Sequence, residues 1–157
     1  MAKPSKILLV EDDPHDVELT LSALTENHLT NEIVVARDGA QALDYLYRWG
    51  PYQSREVGNP AVILLDLKLP KVDGLEVLKR IKTDPDLKTV PVVMLTSSRE
   101  EQDLVESYAS GSNAYVVKPV GFQDFVEAVR EVGLFWTVIN QPPPGSLRQM
   151  PRSPSGP

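Results

Sequence analysis

A doubly wound α/β fold built on a parallel sheet is the architecture this sequence predicts, and three observations carry the prediction. Short apolar runs recur along the chain, among them Lys6-Ile-Leu-Leu-Val10, Ala61-Val-Ile-Leu-Leu65 and Ala114-Tyr-Val-Val117. Runs this short, bounded by charge, read as strands buried on both faces of a sheet. Segments with apolar residues at helical spacing alternate with them, so that strand–helix units follow one another along the chain. Finally, these three strands end in charge: Glu11-Asp12-Asp13, Asp66 and Lys118. Ligands of such sheets bind outside the carboxyl ends of the strands. Acids from two strands and a lysine from a third then meet in one crevice. Like charges that close repel unless a cation sits among them, so the cluster implies a divalent metal.

The elements follow in order. Strand one is Lys6–Val10. Asp13 and Pro14 read as the N-cap and first residue of a helix through Leu24, with Val17, Leu21 and Leu24 at helical spacing. Strand two is Glu32–Ala36. Asp38-Gly39 opens a helix carrying Ala42, Leu43, Leu46 and Tyr47 and ending near Gly50, and a loop of turn formers runs on to Pro60. Strand three is Ala61–Asp66. Leu75, Leu78 and Ile81 mark a third helix stopped by Asp84-Pro85. Strand four is Val92–Thr96, and Ser98-Arg-Glu-Glu101 reads as a capping box for a fourth helix to about Ser110. Strand five is Ala114–Lys118, and Phe122 to Ile139 can form a long fifth helix. The composition then changes. Pro142-Pro-Pro-Gly and Pro151 to Pro157 have too little apolar content to pack, so 140–157 is expected to be a disordered, proline-rich tail behind a single domain at 5–139.

Composition excludes several classes of function. A net charge of −6 disfavours general nucleic-acid binding. There is no cysteine, hence no disulfide or thiolate site, and two histidines, His15 and His28, are too few for a histidine-based metal centre. No apolar run approaches the ~20 residues of a membrane span, and the N-terminus lacks a signal-peptide pattern. A soluble, cytoplasmic protein with no membrane or nucleic-acid partner is the expectation.

Five separated motifs then resemble the receiver domain of two-component response regulators. They are Val10-Glu-Asp-Asp-Pro14, Leu64-Leu-Asp-Leu-Lys-Leu-Pro70, Asp73-Gly74, Met94-Leu-Thr-Ser97 and Val117-Lys-Pro119. The order and spacing of Asp66, Thr96 and Lys118 fit as well, and the likeness spans Lys6 to Ile139. It implies a flavodoxin-like sheet of strand order 2-1-3-4-5 and phosphorylation of one aspartate by a histidine kinase. Asp66 is then the phosphoacceptor, a carboxylate that attacks phosphorus to give an acyl phosphate. Asp12 binds Mg2+ directly, Glu11 through water, and the backbone carbonyl of Lys68 adds a further oxygen ligand, in keeping with the near-octahedral, partly hydrated coordination of that ion. Asp13 is left as the helix cap. Lys118 brings its ammonium, and Thr96 its hydroxyl, to the phosphoryl oxygens. Tyr115 matches the switch aromatic, and a cis Lys118–Pro119 bond is expected.

No output domain follows strand five in this sequence, so the signal is expected to leave through partner binding, dimerisation or onward phosphotransfer. Tyr45-Leu-Tyr-Arg-Trp-Gly-Pro-Tyr52 and the aromatic stretch from Gly133 to Pro143 resemble the small regulators paired with bacterial and cyanobacterial phytochrome kinases. That likeness implies a phytochrome-type kinase as partner and a homodimer through the fourth helix, fifth strand and fifth helix; the alternative is a phosphorelay intermediate or a partner-binding receiver of a non-phytochrome kinase. Two other classes fit less well. A flavin carrier needs a phosphate-cradling loop after strand one, where Glu11-Asp12-Asp13 would repel phosphate. A phosphatase resembling the haloacid-dehalogenase family carries a second aspartate two residues after the first, where this chain has Lys68. No enzymatic turnover of an external substrate is expected.

Overall fold

The computed structural model describes residues 6–25, 32–97 and 114–131. Five strands, β1 (Ile7–Val10), β2 (Ile33–Ala36), β3 (Val62–Asp66), β4 (Val92–Thr96) and β5 (Ala114–Val117), form one parallel sheet of order β2-β1-β3-β4-β5. Between them lie helices α1 (Pro14–Thr25), α2 (Gly39–Tyr47) and α3 (Gly74–Thr83), and after β5 a helix over Phe122–Glu131. The expected fourth helix at 98–110 and the tail at 140–157 lie outside the described residues.

Alternation along the strands divides the core into two layers. Leu8, Val10, Ile63, Leu65, Val92 and Met94 point to one side and pack with Leu43 and Leu46 of α2 and Val77, Leu78 and Ile81 of α3. Ile7, Leu9, Val62, Leu64, Val93 and Leu95 point to the other, against Val17 and Leu24 of α1 and Phe125 and Val126 of the helix after β5. The central strands β1, β3 and β4 are buried throughout, as apolar runs covered on both faces must be. The edge strands are less covered, and Val117 is exposed.

Helix starts follow their side-chain caps. Asp13 Oδ1 accepts from the backbone N–H of His15 at 2.8 Å, Asp38 from Gln41 at 2.7 Å and Asp73 from Glu76 at 3.0 Å. In α3 the buried stripe centres on Val77, Leu78 and Ile81; Leu75, expected to lead it, is only half-buried because it lines the rim above the sheet. Helix α2 ends earlier than its sequence pattern implied, at Tyr47, where Arg48 takes a left-handed φ of 59° and closes the helix.

Candidate functional site

Register places the charged residues side by side. Val10 pairs with Leu65, Asp66 with Leu95, and Thr96 with Val117. Glu11, which follows β1, therefore stands level with Asp66, and Lys118, which follows β5, lies two residues beyond that level at the same end of the sheet. Backbone bonds continue the ladder past the strands: Glu11 N–H to Ala36 O at 3.0 Å, Leu67 N–H to Leu95 O at 3.1 Å, and Lys118 N–H to Thr96 O at 2.8 Å. The positions of these side chains are thus set by the sheet, not by loop conformation.

Carboxylate oxygens of Glu11, Asp12 and Asp66 all lie within 4.8 Å of one another. Asp12 is exposed, while Glu11 is fully buried and Asp66 nearly so. Lys118 Nζ, with its side chain 15% exposed, lies 3.0 Å from Asp16 Oδ2, 3.1 Å from Glu11 Oε1 and 3.4 Å from Asp66 Oδ1. Burial, then the Asp66 charge, pushes the Glu11 carboxyl up to about 7 against the pull of Lys118. Burial also raises Asp66, with Lys118 opposing it. For Lys118 burial acts downward, but Asp16, Asp66 and Glu11 outweigh it and hold the ammonium above its ordinary range. Acids that hold protons so tightly without a cation are acids that a divalent ion would discharge, and this donor set, all oxygen, fits a hard ion such as Mg2+.

Thr96 is fully buried on the floor of the crevice, and its Oγ1 has no hydrogen-bond partner among the described residues. Lys68 is exposed at the mouth. It lines a cavity of about 470 Å³ with Asp12, Leu69, Pro70 and Leu75. Tyr115 is half-buried on β5, at the fringe of the core layer beneath α2 and α3. The Lys118–Pro119 bond is cis. Asp66 does not cap the helix that follows it; Asp73 does. Asp13 caps α1, as its place before Pro14 indicated. Asp16 is the site residue that sequence reasoning passed over. In the first turn of α1, an acid three residues after a capping acid reads as a charge facing the helix dipole, and nothing local shows that it reaches a lysine 102 positions away.

A family model for the response regulator receiver domain matches residues 7–130. The chain belongs to the response regulator receiver domain family. Response regulator Rcp1 of Synechocystis is 41% identical over 133 residues, which cover 85% of this chain and 89% of Rcp1. The bacteriophytochrome response regulator AtBRR is 60% identical, with a TM-score of 0.84 over 89% of this chain and 100% of its own. Rcp1 has been solved in an Mn2+-bound form, 41% identical with a TM-score of 0.67 over 85% of this chain and 95% of its own. The phosphorylated cyanobacterial phytochrome response regulator RcpA is 41% identical, with a TM-score of 0.67 over 85% of this chain and 94% of its own. The chain is a response regulator of the receiver type, close in sequence and fold to phytochrome response regulators, and its family signals through phosphorylation of an aspartate. No helix among the described residues is long and apolar enough to cross a membrane.

Proposed function

We propose that this receiver accepts a phosphoryl group on Asp66 from a sensor histidine kinase of the phytochrome type, in the cytoplasm. The observation that carries the reading is the convergence on Asp66, where an ammonium stands 3.4 Å away and a cation-ready pair of acids lies alongside. Asp66 supplies the nucleophilic oxygen. Glu11, Asp12, Asp66 and the Lys68 backbone carbonyl are the ligands we assign to Mg2+, which when bound neutralises phosphoryl charge. The Mn2+-bound Rcp1 supports a divalent ion in a close relative. Lys118 places its charge beside the same oxygens.

Thr96 supplies the link to output. A buried hydroxyl without a partner costs about 1–3 kcal/mol, so a phosphoryl oxygen arriving within its reach would satisfy it. In this reading Thr96 moves toward the phosphoryl group and Tyr115 turns into the space it leaves. The altered surface of β5 and its neighbouring helices then selects a partner or a second copy of the chain. The likeness to AtBRR and Rcp1 supports the phytochrome-type kinase.

Incubation with Mg2+ and acetyl phosphate should attach one hydroxylamine-sensitive phosphoryl group, seen by mass spectrometry, and chelation should abolish it. Asp66→Asn should stay folded and unlabelled; full labelling of that variant would sink the assignment. Phosphotransfer profiling against the histidine kinases of the source organism tests the partner, and a faster non-phytochrome donor would replace it.

A further inference from the structure

We propose that Asp16 is a positioning residue for phosphoryl transfer, a tether that holds the Lys118 ammonium to one side of Asp66. The inference rests on Asp66 being the phosphoacceptor. An ammonium has three N–H donors, and here three carboxylates surround it. Two of them, Glu11 and Asp66, belong to the acid cluster that can hold a cation. Asp16 lies outside that cluster and makes the shortest of the three contacts, 3.0 Å.

The tether is built on a rigid base. Asp16 sits in the first turn of α1, where the helix dipole favours a negative charge. Its backbone N–H donates to the capping Asp13 Oδ1 at 3.3 Å. Lysine, by contrast, is a point charge on a flexible four-carbon stem. Without Asp16, the only carboxylates left beside the ammonium among the described residues are those of the acceptor cluster. Lys118 would then settle on Asp66 and mask the nucleophile. With Asp16 in place, the ammonium keeps one bond to α1 while its other hydrogens are freed for phosphoryl oxygens. In the step itself an Asp66 oxygen forms a bond to phosphorus, the bridging P–O bond of acetyl phosphate breaks, and acetate leaves with the electron pair. No proton need move.

The test measures the initial rate of labelling by acetyl phosphate in the full chain, with folding checked by circular dichroism. Asp16→Ala should slow labelling about tenfold, the size of one lost charge-assisted hydrogen bond. Asp16→Glu should recover most of the rate. Mg2+ affinity by calorimetry should be nearly unchanged, since Asp16 is no ligand. Most telling is the double variant: Asp16→Ala should slow the Lys118→Ala protein no further, because the tether then has nothing to hold. Labelling of Asp16→Ala at the parental rate, or a full additional loss on top of Lys118→Ala, overturns the proposal. Labelling of Asp66→Asn would instead overturn the assignment of the acceptor, a separable failure.

Discussion

Glu11 has no exposed surface and faces Asp66, so despite the opposing charge of Lys118 its proton is held far above its ordinary value of 4.5, at about 7. The sign of the consequence follows from proton counting. Between about 4.5 and 7 the folded protein binds more protons than the unfolded chain, so stability falls as pH rises through that window. In chelator, the melting temperature should therefore drop by several degrees across it, and Mg2+ should restore most of the loss at neutral pH. A chelated protein that gains stability over the same range would refute this account of the cluster. Lys68 gives a second test. It is exposed at the mouth of the site, a cation where the phosphoryl group would emerge. Lys68→Ala should change the rate of dephosphorylation while leaving Mg2+ binding nearly intact, and an unchanged rate would leave that side chain with no part in hydrolysis. At this scale the sequence was informative wherever a charge ended an apolar run, which is how Glu11, Asp12, Asp66 and Lys118 stood out. Asp16 did not, because its role depends on a contact between distant parts of the chain.

The loop between β3 and α3 shows how an element can be fixed by the absence of a side chain. A Cβ on Gly74 would overlap the backbone carbonyls of Asp66 and Leu67. Backbone cannot yield as a flexible side chain would, so Gly74→Ala should destabilise by about 3 kcal/mol in denaturant titration. It should also slow phosphorylation by displacing the strand end that carries Asp66. The link between α2 and β3 is held differently. Arg55 donates through Nε to Tyr45 O at 2.7 Å and through Nη1 to Glu56 O and Gly58 O, and its guanidinium lies 4.1 Å from the Tyr45 ring centroid. It thus gives the Tyr45 carbonyl a second donor beside the Arg48 N–H that closes α2 at 3.3 Å. Arg55→Ala should cost about 1–2 kcal/mol and leave the labelling rate unchanged. Strands and helices were legible because periodicity and caps are local. This loop was not: the single turn at Gly50–Tyr52 is closed by isolated backbone bonds, and the arginine clasp by side chain-to-carbonyl bonds, neither of which follows a period. Trp49 stacks on Tyr47 with ring centroids 4.7 Å apart and stays half exposed.

For the whole molecule, the parallel sheet agrees with the reading of alternating strands and helices, and its order β2-β1-β3-β4-β5 with what the likeness to receiver domains implied. Assembly is a separate question. Phe135, Trp136 and Ile139, on which a homodimer was expected, lie outside the described residues, so the expectation rests on the apolar, aromatic character of that stretch. If it is right, Phe135→Ala with Trp136→Ala should give a folded monomer by light scattering, and a parent protein monomeric at high concentration, phosphorylated or not, would end the idea. The sheet has one further consequence, in the order of events during folding. Glu11 and Lys118 are 107 positions apart, yet they meet at 3.1 Å across strands that enter the sheet from opposite ends of the sequence. Loop closure over such a distance is slow compared with helix formation or local collapse. A chain still emerging from the ribosome can bury Leu9 or Ile63 before β5 exists, but it has no ammonium to offer a phosphodonor. Competence to receive the signal should therefore lag compaction in a refolding experiment, so that a kinase samples only finished molecules.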